Sequence, residues 1–150
     1  MRKILILVAL MFGAHISIAQ GPMKWAFSTK KISEKVFDVH FTAAIDTGWF
    51  MYSQFNPKMG GPTPTTFKFM DNPDFIIDKE KLKEDGVMEE KYDSAFSMEL
   101  KYYRSKVDFV KRITLKEAAK TSVSGTVTFM GCNEQMCLPP QEVEFKIELK

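Results

Sequence analysis

The chain has little from which to build a metal centre or a hydrolytic site. Its 150 residues include two cysteines, Cys132 and Cys137, and two histidines, His15 and His40. Structural zinc sites draw four ligands, mostly Cys and His. His15 lies in the leader described below, so that set cannot be completed without carboxylates. A serine–histidine–acid triad would have to use His40. In 36–45, however, Phe37, Val39, Phe41, Ala43 and Ile45 form one alternating face, while His40 shares the other with Asp38 and Thr42. That pattern reads as a solvated strand histidine. No metal and no cofactor are expected.

An excess of charge is also missing. The first residues, Met1, Arg2 and Lys3, precede an apolar run from Ile4 to Leu10, with apolar character continuing to Ile18. Ser17 and Ala19 then occupy the two small-residue positions before a cut between Ala19 and Gln20. Basic start, apolar middle and small-x-small end are the parts of a secretory signal peptide, predicted over 1–19 and cleaved. The run is broken by Gly13, Ala14 and His15 and is short for a membrane span. Of 21 Lys+Arg and 19 Asp+Glu, Arg2 and Lys3 leave with the leader, so residues 20–150 carry 19 of each. A neutral domain lacks the basic patch that nucleic-acid binding needs. No later stretch is long and apolar enough to span a bilayer, so no stable membrane insertion is expected after cleavage. The remaining 131 residues suffice for one domain with its own core. An exported domain with a cysteine pair fits an oxidising compartment, most simply a periplasm.

Long helical periodicity is absent; period-two alternation takes its place. The strand at 36–45 is followed by a turn at Asp46-Thr47-Gly48 and a short apolar run at 49–52. Residues 56–64 are a loop dense in Gly and Pro. Strands are predicted at 65–70 and 75–77, and the charged stretch 79–86 as a loop or one helical turn. Phe96, Met98, Leu100 and Tyr102 share a face, as do Val107, Phe109, Ile113 and Leu115, with Lys111 spoiling the second set. Alternation returns at 123–129 and is cleanest at 143–149. Eight or nine short strands with no strand–helix alternation predict an all-β, immunoglobulin-like antiparallel β-sandwich.

The cysteines stand on a predicted hairpin. A strand ends at Phe129, a polar tip runs from Asn133 to Met136, and Cys132 and Cys137 flank it. Residues flanking such a tip face each other, within reach of a disulfide. As a staple the bridge would gain little, since closing a loop of about six residues contributes roughly 2 kcal/mol in the chain-entropy model. The pair is also expected to be exposed at a tip, where an incoming thiol can reach it, as labile and catalytic disulfides are. Pro139 and Pro140 cannot donate to a ladder and so break pairing after Cys137, leaving its sulfur accessible. A structural staple and a redox-active pair both remain open on this evidence.

Gly131-Cys132, a short polar insert and Cys137-Leu138-Pro139-Pro140 resemble the active-site hairpin of the N-terminal periplasmic domain of the DsbD thiol:disulfide interchange proteins. Gly48-Trp49-Phe50-Met51-Tyr52 is similar to that family's Gly-aromatic-aromatic-x-Tyr strand, and Tyr103-Arg104 to a Tyr-Arg pair that follows its cap loop. The resemblance implies a thiol:disulfide oxidoreductase with an immunoglobulin-like fold. It implies that Cys137 forms the mixed disulfide with a partner and Cys132 resolves it. It also implies a cap that shields the pair, here 89–96, with Phe96 as the cap aromatic, Tyr92 beside it and Asp93 near the acidic cap position. The implied partners are a thioredoxin-like protein or domain, a membrane electron transporter, and exported disulfide-bearing clients. The insert between the cysteines is one residue shorter than in the family's best-known members.

Two other readings compete. Met130, Cys132, Met136 and Cys137 together offer soft ligands suited to Cu(I). A plain binding sandwich with an incidental disulfide could use the loop Gly60-Gly61-Pro62-Thr63-Pro64.

Overall fold

The computed structural model describes residues 21–150, in which twelve strands and no helix are present. The predicted leader, 1–19, lies outside the described residues. Alternating apolar residues drive the first two strands, β1 (Met23–Lys31) and β2 (Val36–Ile45). Three short strands follow, β3 (Phe50–Tyr52), β4 (Thr66–Phe69) and β5 (Phe75–Ile77), then β6 (Lys83–Gly86) and β7 (Glu89–Asp93). The second half contains β8 (Met98–Tyr103), β9 (Lys106–Leu115), β10 (Thr121–Phe129), β11 (Gly131–Cys132) and β12 (Gln141–Leu149).

Every pairing is antiparallel. One sheet runs β1-β2-β9-β5, with β6 also on β9; a second runs β12-β10-β4; a third, smaller one runs β11-β3-β8-β7. The main core lies between the first two. Phe41 is fully buried there, 4.8 Å from Phe145 and 5.0 Å from Phe67 between ring centroids. Trp25 stands 5.3 Å from Phe129 in the same cluster. This is the predicted all-β sandwich, with more strands than the eight or nine expected.

The additional strands are those with weak periodic signals. β1 alternates Met23, Trp25 and Phe27, but the polar residues Ser28, Thr29, Lys30 and Lys31 fill its second half. The stretch 79–86 is neither a free loop nor a helical turn over its last residues. Residues 83–86 pair with β9, from Lys83↔Val110 to Gly86↔Val107. The β9 ladder, not hydrophobic patterning, makes these charged residues a strand. Gly86 is required at the close approach, since a Cβ there would lie 2.7 Å from the Lys106 carbonyl oxygen.

Lys111 breaks the β9 pattern because it is buried on the core-facing side yet paired. Its ammonium donates to Asp78 and, at 2.7 Å, to the Glu80 carbonyl. The lysine stem packs as a hydrophobe while its head is satisfied. His40 shares its strand face with Asp38 and Thr42, as predicted. It is partly buried, with Nδ1 2.6 Å from Asp108, whose other oxygen accepts from Thr42 at 2.9 Å.

Candidate functional site

The small sheet has two apolar faces with different fates. Alternation along β3 and β8 sends Met51 and Tyr103 into the main core, where both are buried. The opposite parity sends Phe50, Tyr52, Leu100 and Tyr102 outward. With Cys132, the buried members Tyr52, Leu100 and Tyr102 form a second cluster, against which Phe50, Phe96, Met98 and Met130 pack.

Cys132 reaches that cluster because the β10–β12 hairpin is interrupted. The two strands pair down to Phe129↔Gln141. The chain between them leaves the ladder, and Gly131 and Cys132 pair instead with Met51 and Phe50 of β3. Gly131 permits this: a Cβ there would fall 2.2 Å from the Met23 methyl carbon, so a side chain would have to displace the buried end of Met23 or the strand itself. The tip then reverses. Asn133 N–H donates to the Met136 carbonyl at 2.9 Å, and its side-chain oxygen accepts from the backbone N–H groups of Gln135 and Met136. Leu138 N–H donates to the Gly131 carbonyl at 2.8 Å. These two backbone bonds flank Cys132 and Cys137, making them a non-hydrogen-bonded antiparallel pair, the closer of the two kinds. They are joined by a disulfide, with Cα atoms 4.0 Å apart.

The two cysteines are not equivalent. Cys137 is exposed, whereas Cys132 is 1% exposed. The expectation of an exposed pair therefore holds for one member only. Cys132 is drawn inward by its β3 ladder and the apolar cluster. Pro139 and Pro140 are exposed and precede β12 without ladder partners, as predicted, so Cys137 stays at the surface.

The cap segment 89–96 is a strand and a turn rather than a loop. β7 pairs with β8, from Glu89↔Tyr102 to Asp93↔Met98. Asp93 accepts from the backbone N–H groups of Ala95, at 2.8 Å, and Phe96, at 3.2 Å, and so shapes the turn. Ser97 completes it with φ 54°, in the left-handed region. Phe96 is thereby placed in the turn, not at the start of a strand, and packs on the cluster containing Cys132. Tyr92 is 56% exposed and stands at a cleft between β7 and the cysteine tip.

That cleft has a volume of about 330 Å3, a floor of Phe50, Tyr52, Leu100 and Tyr102, and walls that include Asp93 and Glu134. Burial, reinforced by the Asp93 carboxylate, pushes the Tyr52 phenol up to about 12. On the core side Tyr103 and Ser53 both donate to one Glu84 oxygen, at 2.6 and 2.7 Å. Burial and then Glu84 hold the Tyr103 phenol well above its ordinary value. This network pins the ends of β3 and β8 that carry the cleft floor. Tyr52 was visible in the sequence within a family strand match, Tyr102 in the alternation of 96–102 and Arg104 in a Tyr-Arg pair, none of them with a role. Their signal is the shared parity of residues 50, 52, 100, 102 and 104. Of the soft-ligand set, Met130 packs into the cluster and Met136 is 53% exposed beside Cys137.

A family model described as thiol:disulfide interchange protein DsbD, N-terminal, matches residues 19–149. Among solved structures, the Neisseria meningitidis DsbD N-terminal domain in the reduced form is similar at 19% identity and a TM-score of 0.50, covering 88% of this chain and 89% of that one. The complex between the DsbD N-terminal and PilB N-terminal domains from Neisseria meningitidis includes a chain that is 21% identical, with 81% of each chain covered and a TM-score of 0.48. No curated protein matches.

Proposed function

This chain belongs to the family of DsbD N-terminal domains of thiol:disulfide interchange proteins, and from that premise we propose that it carries electrons through the Cys132–Cys137 pair. The observation that carries the reading is the asymmetry of the pair: one closed disulfide, one residue at the surface and one beneath it. A shuttle needs one sulfur a partner can reach and a second held close enough to release that partner.

In the dithiol form the Cys137 thiolate attacks a client disulfide. A Cys137–client S–S bond forms, the client bond breaks, and the departing client sulfur takes a proton. The Cys132 thiolate then attacks the Cys137 sulfur, closing the intramolecular bridge and releasing the second client thiol. Two electrons and two protons pass to the client. The reverse sequence, with a thioredoxin-like protein or domain as donor, regenerates the dithiol. That donor draws on a membrane electron transporter, and the clients are exported proteins in the periplasm. Phe96, Asp93 and Tyr92 serve as the cap, and an apolar cover over Cys132 disfavours its thiolate until a partner is engaged.

A trapping experiment tests the roles. Cys132→Ser is expected to accumulate a mixed disulfide through Cys137 with a thioredoxin-like protein or an exported client, and Cys137→Ser to accumulate none. A bridge that resisted dithiothreitol until the domain unfolded would overturn the proposal.

A further inference from the structure

The strands carrying the buried cysteine and the cap are not neighbours. In the order β11-β3-β8-β7 two strands separate them, a span of roughly 14 Å at the usual strand spacing. No ladder hydrogen bond can hold the cysteine tip to the cap across that distance. One side chain does cross it. Arg104, just past the end of β8, lies with its guanidinium carbon 5.1 Å from the ring centroids of both Phe50 and Tyr102. Its Nε donates to Glu89, the first residue of β7, at 3.3 Å, and a terminal nitrogen donates to Glu134, at the cysteine tip, at 3.2 Å. The register continues from Tyr52↔Tyr102 and Met51↔Tyr103. It sets Arg104 level with Phe50, which itself pairs with Cys132. The guanidinium therefore sits in the same row as the buried cysteine and joins both walls of the cleft.

We infer that Arg104 is a positioning residue that ties the cysteine tip to the cap hairpin and thereby keeps Cys132, but not Cys137, shielded. Arginine suits the task because its fork reaches two carboxylates while its flat face lies on aromatic rings. The carboxylates are substantially exposed, with side-chain accessibilities of 43% for Glu89 and 72% for Glu134. Such pairs are individually weak and screened by salt. A tie of this kind holds the cover at rest and yields to a docking partner. The inference draws its purpose from the thiol-interchange reading. Its test reads only the burial of one thiol, so the two can fail separately.

The test compares alkylation rates of single thiols by iodoacetamide. In a Cys137→Ser background, Arg104→Gln is expected to speed modification of Cys132 by about threefold, as loss of two exposed ion pairs allows. Molar salt is expected to produce a similar rise with Arg104 in place. In a Cys132→Ser background the Cys137 rate is expected to stay unchanged. Arg104→Lys, which keeps the charge but not the fork, is expected to fall between. An unchanged Cys132 rate overturns the inference. So does an equal rise at both thiols, which would mark general loosening of the fold.

Discussion

The two apolar clusters differ in how they are closed. The main core is covered by a sheet on each side, and its aromatic rings interlock across both, with Phe41 touching Phe27, Phe67, Phe69 and Phe145. The cluster around Cys132 has a sheet beneath it only. Against it pack a turn residue, Phe96, and the methionines Met98 and Met130, with the Gly60-Gly61 loop beside Met98 and the Arg104 guanidinium on Phe50 and Tyr102. Local opening costs least where few buried apolar contacts are lost. The same sheet therefore presents a permanent face through Met51 and Tyr103 and an openable one through Phe50, Tyr52 and Tyr102. The proposed thiol-interchange site lies on the second.

The largest test of this contrast is Phe41→Ala, expected to cost about 3–5 kcal/mol. By denaturant unfolding, its effect should be the same in the disulfide and dithiol forms. Leu100→Ala, in the second cluster, should cost less, about 2–4 kcal/mol, and should change the reactivity of Cys132 as well. An equal effect of both variants on that thiol would erase the distinction between the clusters.

Lys111 offers a second test inside the main core. Asp78→Asn removes the countercharge of the buried Lys111 ammonium and leaves it neutral acceptors only, the Asn amide oxygen and the Glu80 carbonyl. We expect a loss of about 2 kcal/mol, below the usual penalty for a broken buried pair because Asp78 is itself half exposed. The Lys111 hydrogen bond holds the Asp78 carboxyl below its ordinary value, against a smaller opposing effect of burial. A depressed carboxyl stabilises the fold above the unfolded value of about 3.9. That stabilisation disappears as pH falls through the lower folded value. The variant should therefore lose part of the wild-type stability drop in acid, measured by unfolding midpoints from pH 6 to pH 2.

Reducing the bridge should cost about 2 kcal/mol, given its short loop, and leave both clusters folded. Loss of cooperative unfolding on reduction would make the bridge a staple after all. The smallest effect is expected at Ser97. Replacement by Gly relieves its left-handed backbone and should stabilise by up to about 1 kcal/mol. It should leave the turn that carries Phe96 in place, seen as an unchanged alkylation rate of Cys132.

Much of the sandwich was legible in the sequence because burial on one face of a strand imposes period two. The strand predicted at 36–45 is β2 to the residue, and 75–77 is β5. Strands held by their neighbours' ladders were not legible. The charges of β6 carry no alternation to read, and β11 is two residues long. The cysteine hairpin was readable from spacing alone, since a four-residue tip places its flanking residues opposite each other. Its depth was not.

By itself, then, the sequence determined the all-β class, the neutral charge of residues 20–150, the closable pair Cys132–Cys137 and the break made by Pro139 and Pro140. These follow from local chemistry and short spacing. Only the tertiary structure decided that Cys132 is buried while Cys137 is not, because burial depends on β3, eighty residues earlier in the chain, and on Met23 accommodating Gly131. It alone brought Arg104 between Glu89 and Glu134. Long-range strand order sets those contacts, and no local pattern encodes it.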